Sequence, residues 1–160
     1  MQLGIDQDQA DANSRITAIR AAVLLTRSME LWRRERLDPE TVLINLAVIA
    51  ITSERLMRGG LDPKHNSLDV YLPLEKLQGC NVASIAAATG LNRETVRRRV
   101  KSLTSAGSLI RTASGDLALP PDKVQERSAQ ELVRRQLEAL VRFANESLRD
   151  GVLMLSDEKG

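Results

Sequence analysis

Arg93, Glu94, Arg97, Arg98, Arg99 and Lys101 fall within nine residues, and Arg111 follows ten positions later. Between residues 92 and 111 the positive charges exceed the negative by five, in a chain of 160 residues whose net charge is only +2. Arginine can donate two hydrogen bonds to a guanine edge, glutamate can accept from a cytosine amine, and further cations neutralise phosphate. The chemistry this cluster suits is therefore recognition of an anionic, base-bearing polymer rather than the making or breaking of bonds. Nothing else in the chain favours catalysis. There is no Gly-rich phosphate loop and no G-x-S-x-G. His65 is the single histidine and stands among turn residues, where a solvent-exposed position is expected. No set of metal ligands surrounds it. An enzyme is not expected, and neither is a cofactor or a metal.

Composition narrows the partner. Aromatic residues make up 2% of the chain, too few for the stacking platforms that read single-stranded RNA. Duplex DNA is the expected partner. One cysteine, Cys80, excludes an internal disulfide and fits a reducing compartment; a small packing residue is its expected role. The first thirteen residues are polar, with three aspartates and no lysine or arginine, unlike a signal peptide. The most apolar run, residues 42–51, is about half the length of a membrane span. A cytoplasmic protein without a membrane segment is expected.

The basic cluster must be held on something. Asn81 can cap a short helix from about Val82 to Thr89, with Ile85 and Ala86 turned inward. Gly90 falls where a tight turn needs a left-handed backbone. Leu91 then fills the corner and Asn92 caps a second helix. At 100° per residue Val96, Val100 and Leu103 share one side of that helix and must face the core. Glu94, Arg98, Lys101 and Ser105 fall opposite, flanked by Arg93 and Arg97. Residues 109–111 and 117–119 read as two short strands around a turn at Ser114-Gly115-Asp116. Helix, glycine turn, basic helix and hairpin make a winged helix-turn-helix. Arg93, Glu94 and Arg98 are the expected base contacts. Asn81, Ser84, Thr95, Arg97, Lys101, Arg111 and Thr112 are the expected phosphate contacts. A Glu94–Arg98 ion pair on a solvated helix face is the competing reading of the same spacing.

The remaining chain reads as a helical frame. A helix from Asn13 or Ser14 to about Arg36 carries Ile16, Ile19, Val23, Leu24, Met29, Leu31 and Trp32, and ends in Arg33, Arg34 and Arg36. Asp38-Pro39-Glu40 opens a second helix that runs to about Arg58. Its residues 42–51 are apolar on almost every face, which predicts burial on all sides, within the chain or in a dimer. Residues 67–78 alternate like a strand and then turn helical after Pro73. A long helix from about Lys123 to Arg149 bears Leu132, Val133, Leu137, Leu140, Val141, Ala144 and Leu148. The expected organisation is a flexible segment 1–13, a helical dimerisation region 14–60, a winged helix-turn-helix DNA-binding domain 61–121, a C-terminal dimerisation helix 122–151 and a tail 152–160. The fold class is mainly α, with long N- and C-terminal helices and a two-stranded β wing.

The run GLNRETVRRRVKSLTSAGSLI resembles the DNA-binding module of the Crp/Fnr regulators, whose pattern is G-x-S-R-E-T-V-x-R-x-L-x-x-L followed by a hydrophobic strand. The resemblance implies base reading by Arg93, Glu94 and Arg98 and a phosphate contact by Thr95. Two positions depart from it. Asn92 replaces a serine cap, and Arg99 replaces an inner hydrophobic residue, a place where Lrp/AsnC-type modules also carry arginine. The Arg99 stem is expected to pack while its head reaches solvent or phosphate. The resemblance covers about 40 residues. The plan of helices on both sides of a winged reader looks more like the small dimeric MarR-type regulators. The expected function is sequence-specific DNA binding as a homodimeric transcriptional regulator, with a small apolar effector as a further candidate partner. A winged helix used only as a protein-interaction module is the alternative.

Overall fold

The computed structural model describes residues 2–34 and 37–156. The helix end expected at Arg36 and the final four residues of the expected tail lie outside that set. Contacts divide the chain into two units, Leu37–Glu131 and a second built from Met1–Arg36 with Leu132–Gly160.

The first unit contains the winged helix. Helix α3 (Pro39–Gly59) starts as its sequence dictates: the Asp38 carboxylate accepts from the Thr41 amide at 3.2 Å, and Pro39 occupies the first turn. Helix α4 (Val82–Thr89) packs on α3, and α5 (Arg93–Ser105) packs on α4. Strands β2 (Ile110–Arg111) and β3 (Leu117–Ala118) pair antiparallel, Ile110 opposite Ala118 and Arg111 opposite Leu117. The Leu117 amide also donates to the Cys80 carbonyl at 2.7 Å, so the chain entering α4 is stitched to the wing by one backbone bond. The core is aliphatic: Ile44, Val48, Ile85, Val96, Val100, Leu109 and Leu117 are buried together, with Cys80 among them. The mainly helical winged-helix fold with a two-stranded wing is thus as the sequence predicts.

Within the chain helix α3 buries Val42, Ile44, Ala47 and Val48 and leaves Leu43, Leu46 and Ile49 about 40% exposed; it packs on α4 and β3 and falls in the winged-helix unit. Two local expectations are corrected. Residues 67–72 form bends and a turn, not a strand, because among the described residues no partner strand runs beside them, and of residues 67–78 only Leu74–Lys76 becomes a single 3-10 turn. His65 is half-buried rather than exposed; its Nε2 lies 3.2 Å from the Lys76 ammonium.

The second unit holds α1 (Gln7–Ala12), α2 (Ser14–Arg34) and most of α7 (Arg127–Arg149). The expected continuous helix from Lys123 is interrupted. A short α6 (Pro121–Val124) ends at Gln125, whose side-chain amide donates to the Asp69 carbonyl at 3.1 Å. The segment expected to be frayed is ordered. Strand β1 (Gln2–Ile5) pairs antiparallel with β4 (Leu153–Ser156), Leu3 opposite Leu155, and Asp6 caps α1. Apolar residues at Leu153 and Leu155, read as part of a tail, supply that partner strand. Arg20 fastens α2 to the end of α7: Nη1 donates to the Glu146 carbonyl at 2.9 Å, and the guanidinium pairs with Glu146 and Asp150. A cation there also satisfies carbonyls that a helix C-terminus leaves open.

Candidate nucleic-acid interface

Local chemistry builds the reader. The Asn81 side-chain oxygen accepts from the amides of Ala83 and Ser84 at 2.9 and 3.1 Å, and the Ser84 hydroxyl accepts from the Asn81 amide at 2.9 Å. This capping box closes the orphan donors at the start of α4. The Ser84 hydroxyl also donates to the Asn81 carbonyl at 2.8 Å, so it is committed within the chain. The Asn81 side-chain nitrogen, Nδ2, faces outward as a further donor at that helix start. Gly90 ends α4 with φ 70° and ψ 2°, the left-handed region, and its amide bonds Ala86. Leu91 is half-buried at the corner, and the Asn92 side chain caps α5 through the Glu94 amide at 2.8 Å.

Burial orients α5. Val96 is 0% and Val100 2% exposed, and Leu103 is half-buried against the same core. Arg93, Glu94, Arg97, Arg98 and Lys101 are all exposed, and Thr95 is half-buried at the edge of that face. Glu94 pairs with Arg97 one turn on, not with Arg98. That pair is exposed and worth only a few tenths of a kcal/mol. Arg93, Arg98 and Lys101 have no ionic partner among the described residues.

The Arg99 stem packs as expected, and its head, still about a third exposed, binds the first turn of α3, Glu40 at 2.8 and 3.0 Å and Asp38 at 3.3 Å. Hydrogen bonds donated to the Glu40 carboxylate hold the arginine protonated more firmly than usual, and the Asp38 charge adds to this. Asp38 is in turn pulled below the usual carboxylate range, first by the Thr41 hydroxyl at 2.7 Å and also by Arg99. Single-sequence spacing held no signal for this network, because Arg99 and Glu40 are 59 residues apart.

In the wing, Arg111 is exposed and donates to the Gly115 carbonyl at 2.9 Å, which leaves further guanidinium donors open. The Thr112 hydroxyl lies 2.9 Å from that of Ser114, which in turn bonds Asp116 at 2.7 Å. The Asp116 carboxylate sits against Gly79, where a Cβ would lie 3.0 Å from both of its oxygens. Burial pushes the Cys80 thiol above its ordinary range, and Asp116 adds to this. A thiol so placed is a poor nucleophile, in keeping with packing. Among the described residues no three His, Cys, Asp or Glu side chains converge as metal ligands would.

A capped helix, a left-handed glycine corner, a basic helix seated by two valines and a two-stranded wing define a winged-helix protein with a cationic recognition face. The family model described as Firmicute plasmid replication protein (RepL) matches residues 76–150, which contain α4, α5, the wing, α6 and all of α7. That likeness is to a DNA-binding replication family, and it does not point specifically to Crp/Fnr or MarR-type regulators. No curated protein and no solved structure matches the chain. Among the described residues, no helix is long and apolar enough to cross a membrane.

Proposed function

We propose that this chain binds duplex DNA sequence-specifically as a homodimer, with α5 in the major groove and the wing on the sugar-phosphate backbone. The observation that carries the reading is the pairing of opposite faces on α5. Val96 and Val100 are buried, while Arg93, Arg98 and Lys101 stand exposed without an ionic partner among the described residues. Cations are left unpaired at the start of a helix where docked helix-turn-helix proteins meet base edges. Arg93 and Arg98 are the proposed base readers, with Glu94 joining them once its weak pair with Arg97 opens. Lys101, Arg97, Arg111, Thr95, Thr112 and the Asn81 side-chain amide are the proposed backbone contacts. The family likeness adds control of plasmid replication to transcriptional regulation as a setting for such binding. The role is one of binding rather than catalysis.

The terminal unit supports pairing with a second copy. Among its described residues only Ser147 and Val152 are buried, too little core to offset the cost of ordering two long helices. Helix α7 turns Gln136, Ala139, Phe143 and Ser147 inward, yet Val133, Leu137, Leu140 and Val141 on an adjoining face are 48–59% exposed. Helix α2 repeats this with Ile16, Ile19 and Val23, 38–53% exposed. These seven side chains offer on the order of 500 Å², and with their polar neighbours approach the roughly 800 Å² per partner of a stable interface. Two such helix pairs closing on each other make a four-helix bundle. The grooves along α2 are open and lined by α2 itself with the end of α1, among them Ile19, Ala22, Val23 and Thr26. They suit a second helix better than an enclosed small apolar effector.

The test is a polarisation titration against duplexes selected from a random pool on the wild-type chain. Arg93→Ala and Arg98→Ala should each weaken the selected duplex by about 1–3 kcal/mol. Lys101→Ala should lower the salt slope of log K by about 0.9. No salt-sensitive duplex binding, or indifference to the double arginine variant, would sink the reading. A protein-interaction module is the second reading, favoured by the exposed Leu43, Leu46 and Ile49 on α3; DNA-independent capture of one stoichiometric protein on that face would support it.

A further inference from the structure

Arg99 stands between the exposed Arg98 and the buried Val100 on α5, yet it does not join the cationic face. Its Nε and Nη2 reach the same Glu40 oxygen at 3.0 and 2.8 Å, and Nη1 lies 3.3 Å from Asp38. Asp38 is the N-cap of α3 and Glu40 lies in its first turn. Both carboxylates are favoured there by the helix dipole, and Asp38 is separately anchored by Thr41. They therefore form a fixed acceptor for the guanidinium rather than one gathered by it. Val96 and Val100 hold α5 down through apolar contact, which is non-directional and fixes its depth more firmly than its rotation about its own axis. A planar guanidinium bonded through three nitrogens restricts that rotation, which a lysine at the same place could not do as well.

We propose that Arg99 is a positioning residue. It fixes the angle at which α5 presents Arg93 and Arg98 by clamping the helix to the first turn of α3, and it does not itself touch DNA. This rests on the DNA reading above. The clamp and a direct phosphate contact make opposite predictions for Glu40. If Arg99 touches phosphate, Glu40 competes with DNA and its neutralisation tightens binding. If Arg99 is a clamp, neutralising Glu40 loosens the reader and costs specificity.

The experiment compares the full chain with Glu40→Gln and Arg99→Gln, using a duplex selected on the wild type and a scrambled duplex, across a salt series. Circular dichroism melts confirm that each variant is folded. In each variant the ratio of selected to scrambled affinity should fall about tenfold, the scale of one base reader's discrimination. The salt slope for Arg99→Gln should stay at the wild-type value, and the double variant should be no worse than the weaker single. A selected-to-scrambled ratio that holds or rises in Glu40→Gln overturns the clamp. So does a slope reduced by about 0.9 in Arg99→Gln, the signature of one lost phosphate contact. If Arg99→Gln does not fold, the ratio in Glu40→Gln decides alone. Wild-type chain that fails to bind any duplex removes the underlying reading together with the clamp, whereas tight wild-type binding with an unaffected Glu40→Gln removes the clamp only.

Discussion

At the residue scale, two positions answer to backbone and to charge. Gly90 holds φ 70°, and a Cβ there would meet nothing within 4 Å. The cost of a side chain is therefore conformational alone. Gly90→Ala should lower stability by about 1–2 kcal/mol in urea unfolding, and Gly90→Asn by less, since asparagine tolerates the left-handed region. A loss well above that range would mean the corner is packed more tightly than the open space around it implies. Asp38 provides a pH test. Its folded-state pKa lies below the ordinary value because the Thr41 hydroxyl, the Thr41 amide and Arg99 all favour the carboxylate. A depressed acid stabilises the fold above its unfolded pKa of about 3.9, and that contribution is lost as pH falls through the lower folded value. Asp38→Asn, which retains a capping side chain, should flatten the fall in melting temperature between about pH 5 and pH 2. Parallel wild-type and variant curves would show that Asp38 carries no such linkage.

At the element scale, the recognition helix depends on what lies beneath it. Ile85 on α4 is 0% exposed and belongs to the cluster that includes Val96 and Val100. Truncating it leaves a cavity under α5 that touches no exposed cation. Ile85→Ala should cost about 2–5 kcal/mol by denaturant titration. At a temperature where the variant remains folded, its salt slope for DNA should be unchanged, because no phosphate contact is lost. A changed slope with unchanged stability would place Ile85 outside the core that seats the helix. The wing is short, two residues per strand, and relies on the bond from Leu117 to the Cys80 carbonyl as well as on its own pairing. A Cβ at Gly79 would crowd the Asp116 carboxylate at 3.0 Å, so a larger residue there needs that side chain to shift.

At the scale of the molecule, each unit has its own logic. The winged-helix unit buries a contiguous aliphatic core; the terminal unit leaves most of its apolar side chains exposed. Leu137→Glu with Leu140→Glu should convert a dimer to a monomer in light scattering and weaken DNA binding by about a hundredfold or more, as two linked half-sites become one. A wild-type chain that is monomeric at micromolar concentration, or a variant that stays dimeric, would remove α7 from the interface. For the proposed dimer, half-sites centred about 10 base pairs apart or at a multiple of that are expected, which footprinting would measure.

Where local chemistry sets local structure, the sequence was sufficient. Asn81, Gly90 and Asn92 mark the reader because caps and a left-handed corner are made by adjacent residues, and Val96 and Val100 declare the buried side of α5 through helical spacing alone. Asp38-Pro39-Glu40 announced a helix start for the same reason. Only the tertiary structure decided what depends on distant partners. Leu153 and Leu155 became a strand because Gln2–Ile5 lies beside them, a pairing across the length of the chain. Leu43, Leu46 and Ile49 proved exposed because an all-apolar helix does not say which face its neighbours cover. Arg20 joined the end of α7, and Arg99 met Glu40 and Asp38, because the position of an ion-pair partner is set by packing and leaves no period in the sequence.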